Sequence, residues 1–247
     1  MVGHGPLKPS ILVRVQVPQQ MKIEIIKSVD DANEAVGLTV VIDVFRAFST
    51  EAFIFANNAE KIIPVKDLED AYRLKRNNPG YILVGERGGK KPEGFDFGNG
   101  PSEVLHVNFS GKTIIHTTSN GTKGLMNACN ADTILVGSFV MADSIIKYIQ
   151  KNKPEIVSLV STSHHAGEEN EDILLAYYIQ DVLHGKSVDE LAVKNKLATN
   201  TASQFLLTEV GVPQADIDLC LDFHRFNFVI KKVATDNGFY LTKEVLK

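Results

Sequence analysis

Cysteine is nearly absent from this chain: its 247 residues hold two, Cys129 and Cys220, far apart and without metal-ligand spacing. That sets aside a disulfide framework and a zinc site, and leaves buried free thiols in a reducing cytosol as the expectation. No stretch approaches the roughly twenty consecutive apolar residues that span a bilayer, so a soluble, cytoplasmic protein without a membrane partner is expected. Basic runs are missing too. No Lys or Arg run exceeds two residues and the formal net charge is −4, which argues against nucleic acid as a partner, since non-specific binding needs a basic face. The Gly-x-x-x-x-Gly-Lys-Ser/Thr pattern of a P-loop does not occur, and neither an internal repeat nor a low-complexity tract is evident.

What is present is alternation of β-branched runs with helical patterns, the mark of βαβ units. Strands are expected at 22–26, 39–44, 61–65, 81–86, 113–117, 133–136 and 156–161, with helices at 67–76, 141–150 and 171–183 among others. The predicted fold is α/β, a largely parallel or mixed sheet flanked by helices, in one unit or two intimate lobes. Its C-terminal part, about 168–236, reads as helical, with no strand before Gly238–Leu241. Residues 1–20 carry several Pro and Gly and little periodicity, so they read as a flexible extension before a catalytic unit spanning 21–247. Within them Ile11–Val17 alternates enough to add an edge strand or to bridge to a second subunit, which keeps a homo-oligomer open.

Three strand ends carry polar chemistry. The run Val40–Val44 closes on Asp43 and leads through Arg46 into an apolar helix, with Ser49 and Thr50 as expected caps; Asp43 would be costly to bury without a cation, a metal or solvent. After Tyr81–Val84 comes a loop, Gly85–Pro101, that packs six glycines with Glu86, Arg87 and Asp96. Glycines there let backbone N–H groups approach a ligand, the carboxylates suit Mg²⁺, and an arginine fork suits phosphate. The third, Thr113–Gly124, ends in Thr118, Asn120, Gly121 and Thr122, hydroxyls and amides at a helix start that suit an anion. Further on, Glu171 and Asp172 open a helix, where they serve its dipole or reach a cleft as metal or general-base groups. Asp216, Asp218 and Asp222 read as a solvated acidic face, and His224 and Arg225 stay outside the expected site.

Together these segments resemble the 2-phosphosulfolactate phosphatases, Mg²⁺-dependent enzymes associated with coenzyme M biosynthesis. The resemblance rests on Val41–Ala47, on Gly85-Glu86-Arg87 through Gly94–Asn99 and Pro101, on Thr117–Thr122, and on Glu171-Asp172. It departs from the family at Phe48, where Ser or Thr is usual, at Gly100, where Ser is usual, and at Ser161–Gly167, so no role is carried onto His164 or His165. The resemblance implies hydrolysis of a small phosphorylated anionic substrate. It places catalytic function on Asp43, Glu86 and Asp172, and Mg²⁺ among Asp43, Glu86, Asp96, Glu171 and Asp172. Arg46, Ser49, Arg87, Gly88, Asn99, Thr118, Asn120, Gly121 and Thr122 fall around the anion. Either a metal-activated water or a carboxylate, Asp43 foremost, would attack; only the second gives a trappable acyl-phosphate. Two alternatives stand: a non-catalytic binding protein for a dianionic metabolite, and a phosphatase for a different small phosphorylated acid.

Overall fold

The β-branched runs pair into one nine-stranded sheet in the computed structural model, which describes residues 21–163, 170–236 and 238–246. In chain order the strands are β1 (Lys22–Ile26), β2 (Gly37–Ile42), β3 (Lys61–Pro64), β4 (Ile82–Gly85), β5 (Thr113–Thr117), β6 (Ala131–Gly137), β7 (Ile156–Ser161), β8 (Phe228–Thr235) and β9 (Gly238–Val245). Their spatial order is β1-β7-β2-β6-β8-β9-β3-β5-β4. Neighbours β1/β7/β2/β6 are parallel, as are β3/β5/β4, and the antiparallel hairpin β8/β9 joins the two groups. The expectation of a mixed α/β sheet holds. Because that junction contains three antiparallel pairings, the two parallel groups run in opposite senses, and their carboxyl edges meet only if the sheet twists strongly.

The described helices are α1 (Ala47–Ala56), α2 (Leu68–Asn77), α3 (Pro101–Val104), α4 (Gly121–Asn127), α5 (Ala142–Asn152), α6 (Glu171–Leu183), α7 (Glu190–Ala198), α8 (Thr201–Phe205) and α9 (Gln214–Cys220). None is long and apolar enough to cross a membrane. Nine of the ten α1 residues are buried, as befits a helix apolar on nearly every side that runs through the core. Its start lies earlier than the sequence suggests. Ser49 and Thr50 fall inside it rather than capping it: the Ser49 hydroxyl donates to Val44 O at 2.8 Å, and the Thr50 hydroxyl to Arg46 O at 2.9 Å. Both thereby satisfy carbonyls of the turn between β2 and α1.

A second difference concerns the C-terminal part. Helices α6 to α9 fill it as far as Cys220, but Phe228–Thr235, expected within the helical stretch, is strand β8 at the middle of the sheet. The expected extension at 1–20 and the turn holding His164 and His165 lie outside the described residues.

Hydrogen bonds hold the strand ends level. Asp43 N–H donates to Gly137 O at 3.1 Å and Thr162 N–H to Ile42 O at 3.1 Å, so the chain leaves β2, β6 and β7 at a common edge. In the other group Glu86 N–H donates to Thr117 O at 3.0 Å, which places Glu86 beside Thr118.

Candidate active site

Two adjoining cavities open where these edges converge. One, of about 250 Å³, is acidic, with Asp43, Glu171 and Asp172 in its wall; the other, of about 290 Å³, is walled by Arg46, Glu86, Asn99 and Thr118. Asp43, Phe45 and Asn120 belong to both. Two larger cavities, about 450 and 570 Å³, lie at the amino ends of β2, β6 and β7 and beside β3 and α2. Neither touches Asp43, Asp172 or Arg46, so the smaller pair is the candidate site.

Asp172 is held by its surroundings. Val44 N–H donates to its Oδ1 at 2.9 Å, while Thr162 N–H (3.1 Å), the Thr162 hydroxyl (3.2 Å) and the Ser161 hydroxyl (3.5 Å) converge on Oδ2. The side chain of Asn170 caps α6 by accepting from the N–H groups of Asp172 and Ile173, which fixes the acidic pair at the helix start. Asp43 is less engaged. Ala47 N–H donates to its Oδ1 at 3.2 Å, and its Oδ2 lies toward Gly121, where an added Cβ would come within 2.9 Å of that oxygen. Gly121 therefore serves by letting the carboxylate close in on the loop, rather than by touching a ligand.

Crowding of carboxylates shifts their titration. Burial first, and then the charge of Asp172, push the Asp43 carboxyl up to about 8; burial and Glu171 push Asp172 up to about 8; burial pushes Glu171 up to about 7. From the ordinary 3.8 of an aspartate, such a rise means that the folded protein keeps protons the unfolded chain has released. Stability contributed by those protons is complete below about pH 4 and is lost as pH climbs through about 8. The metal-free protein is accordingly expected to melt lower at pH 9 than at pH 6, with Asp43→Asn flattening that fall; a wild-type and variant pair with parallel pH profiles in thermal denaturation would contradict it.

Glu86 fastens one loop to another. Its Oε1 accepts from the N–H (2.7 Å) and hydroxyl (2.9 Å) of Ser119, and its Oε2 from Gly89 N–H at 2.7 Å. Thr118 lines the anion-side cavity, and its hydroxyl oxygen accepts from Thr122 N–H at 3.1 Å, which places Thr122 behind the wall. Gly88 and Asn120 line the cavity as expected.

Three expected site residues lie elsewhere. Asp96 pairs with the edge of β4: its Oδ2 accepts from Leu83 N–H at 2.8 Å and from Lys75 at 3.3 Å, away from the cleft. Arg87 is spent on main-chain carbonyls, donating to Glu86 O at 2.7 Å and to Lys66 O. Ser49 is fully buried with its hydroxyl 2.6 Å from that of Ser138. All three charged site candidates of the Gly85–Pro101 loop, Glu86 included, thus engage groups of the protein itself.

One residue outside the expected set enters instead. Asp216 of α9, read from sequence as solvated, is 1% exposed and forms an ion pair with Arg46 at 2.7 Å. Its other oxygen takes Ser102 N–H at 3.0 Å and the Ser102 hydroxyl at 2.6 Å. Gly100 makes room, since a Cβ there would stand 2.4 Å from Asp216 Oδ2. The glycine that departs from the family pattern is what admits this carboxylate, and Arg46 is held with a second N–H donating to Gly89 O at 3.3 Å.

Residues 24–234 match the family model described as 2-phosphosulpholactate phosphatase. The chain belongs to that family. A Thermotoga maritima protein named "Probable 2-phosphosulfolactate phosphatase" is 39% identical over 217 residues, covering 83% of this chain and 92% of the relative. Proteins of the same name from Thermoplasma acidophilum and Carboxydothermus hydrogenoformans are 31% and 39% identical, over 78% and 68% of this chain and 84% and 71% of their own. The match spans Asp43, Glu86, Thr118 and Asp172, which line the two cavities, and continues past Asp216.

Proposed function

We propose that this chain is a Mg²⁺-dependent phosphatase that hydrolyses 2-phosphosulfolactate to sulfolactate and phosphate, acting in the cytoplasm in a route of the coenzyme M biosynthesis type. The observation that carries the reading is the shared wall: Asp43 and Asn120 stand between a cavity lined by carboxylates and one lined by donors for an anion.

The acidic cavity suits a small hard cation. Among the described residues no lysine or arginine lines it, and burial together with mutual repulsion raises its carboxylates' affinity for protons, so at neutral pH the cluster demands either protons or a cation. Among the described residues no three His, Cys, Asp or Glu form a closed metal cage. Mg²⁺ asks for less, since it takes one or two carboxylates and keeps several waters. Asp43 and Glu171 would hold it, with Asp172 behind them already saturated by N–H and O–H donors. Bound there, the ion would neutralise charge on the phosphoryl oxygens and make water a better nucleophile.

The protein groups supply the rest. Arg46, Asn99 and Thr118 orient the anion in the donor-lined cavity, a positioning that needs no reorganisation when charge develops. A water attacks phosphorus as the ester P–O bond breaks; the proton the water loses passes to solvent and a solvent proton completes the leaving alkoxide, giving the alcohol and inorganic phosphate.

Phosphate release from a panel of phosphorylated hydroxy acids tests the substrate. The expected result is a kcat/KM for 2-phosphosulfolactate at least about tenfold above that for analogues whose sulfonate is replaced by a carboxylate or hydrogen. Equal values across the panel would assign the chain to a different phosphorylated acid. Calorimetric binding without release would make it a binding protein.

A further inference from the structure

Behind the donor-lined cavity a histidine is buried with both ring nitrogens engaged. His116, on β5, places Nδ1 2.8 Å from Glu51 Oε1 of α1 and Nε2 3.1 Å from Asn99 Oδ1. His116 and Glu51 are each 1% exposed, and Glu51 Oε2 has no hydrogen-bond partner among the described residues. So desolvated a carboxylate strengthens its grip on any proton within reach, and the nearest is shared with Nδ1. Asn99 turns its amide oxygen to Nε2, a contact that requires a hydrogen on Nε2 and leaves Nδ1 to share a proton with Glu51.

The consequence falls on Asn99. With Oδ1 tied inward, its Nδ2 finds no acceptor among the described residues and is left to the cavity that Asn99 lines with Arg46 and Thr118. A free asparagine amide would turn either end toward a ligand, and its carbonyl end repels an anion. We infer that Glu51 and His116 are positioning residues that lock Asn99 as a donor toward an oxyanion of the substrate. Neither touches the substrate, and the inference rests on the phosphatase reading above. A neutral donor held in one orientation matters here, since Asp43 and Glu86 line the same cavity with negative charge and Arg46 is offset by Asp216.

Steady-state hydrolysis of 2-phosphosulfolactate with Mg²⁺, with inorganic phosphate as a competitive inhibitor, tests it on four proteins. Asn99→Asp keeps an acceptor for His116 but turns a carboxylate oxygen to the cavity; its melting temperature should stay near wild type while KM and the phosphate inhibition constant rise at least about tenfold. The double variant Glu51→Leu/His116→Leu removes both buried partners together, so no orphan charge remains, and should raise both constants by a similar factor. His116→Gln still offers an N–H to Asn99 and should change them less than about threefold. Unchanged constants in Asn99→Asp, or in a folded double variant, would overturn the inference, and Asn99→Asp decides alone if the double variant does not fold. A wild-type protein that neither hydrolyses the substrate nor binds phosphate would instead bring down the phosphatase reading, and the inference with it.

Discussion

Asp43→Asn is expected to lower kcat/KM for phosphate release by about a thousandfold or more while leaving the fold intact, an effect of the size seen when a group acting in the transition state is lost. Asparagine still offers Oδ1 to Ala47 N–H, so the turn into α1 survives. What disappears is a negative charge at the wall shared by the two cavities. The variant should also need more Mg²⁺ for half-maximal activity and melt at or above the wild-type temperature near pH 8, because a buried carboxylate crowded by Asp172 is removed. Kinetics and thermal melting on one preparation measure both. Full activity in Asp43→Asn would remove Asp43 from the chemistry.

The second large effect is expected at Asp216, through stability as much as catalysis. Asp216→Ala leaves the Arg46 guanidinium buried without its partner, a change that costs about 3–5 kcal/mol when it breaks a buried pair. For a chain of this size that is a fall of about 10 °C in melting temperature. Asp218→Ala, on the exposed side of the same helix, should fall within about 0.5 kcal/mol of wild type. Because Asp216 also fixes where Arg46 stands in the cavity wall, KM in Asp216→Asn should rise although the Ser102 contacts can persist. Equal melting temperatures for the Asp216 and Asp218 variants would return Asp216 to the solvated face.

That pair of aspartates shows where sequence reasoning reaches its end. Strands rich in β-branched residues, β1, β5 and β7, are legible to the residue, and so is α6, which its acidic pair opens. β8 is not, since Phe228–Thr235 sets buried Phe228, Val229 and Ile230 beside Lys231 and Lys232, and the pattern breaks. Those lysines lay their stems on aromatic rings, Lys231 over Tyr148 and Lys232 over Phe239, covering apolar surface while the pattern reads as polar.

For the site, the strand ends carrying Asp43, Glu86 and Thr118 are readable because polar residues finishing apolar strands demand an explanation, and Asp172 because an acidic pair opens its helix. Asp96 and Arg87 carry the same residue types in the same loop, yet their partners, main-chain groups and for Asp96 also Lys75, are revealed by no residue pattern. The role of Asp216 depends on a missing side chain at Gly100, more than a hundred residues away in sequence and adjacent only in the fold. Glu51 and His116 face each other across the core from a helix and a strand, and nothing in either local sequence marks the contact.

The most direct test of the account is the release of inorganic phosphate from 2-phosphosulfolactate by the full chain, measured with Mg²⁺ present and again after chelation. The account predicts steady turnover with Mg²⁺, loss of turnover on chelation and its return when Mg²⁺ is restored. Tight binding of the substrate without phosphate release under every metal condition, or turnover indifferent to chelation, would contradict it.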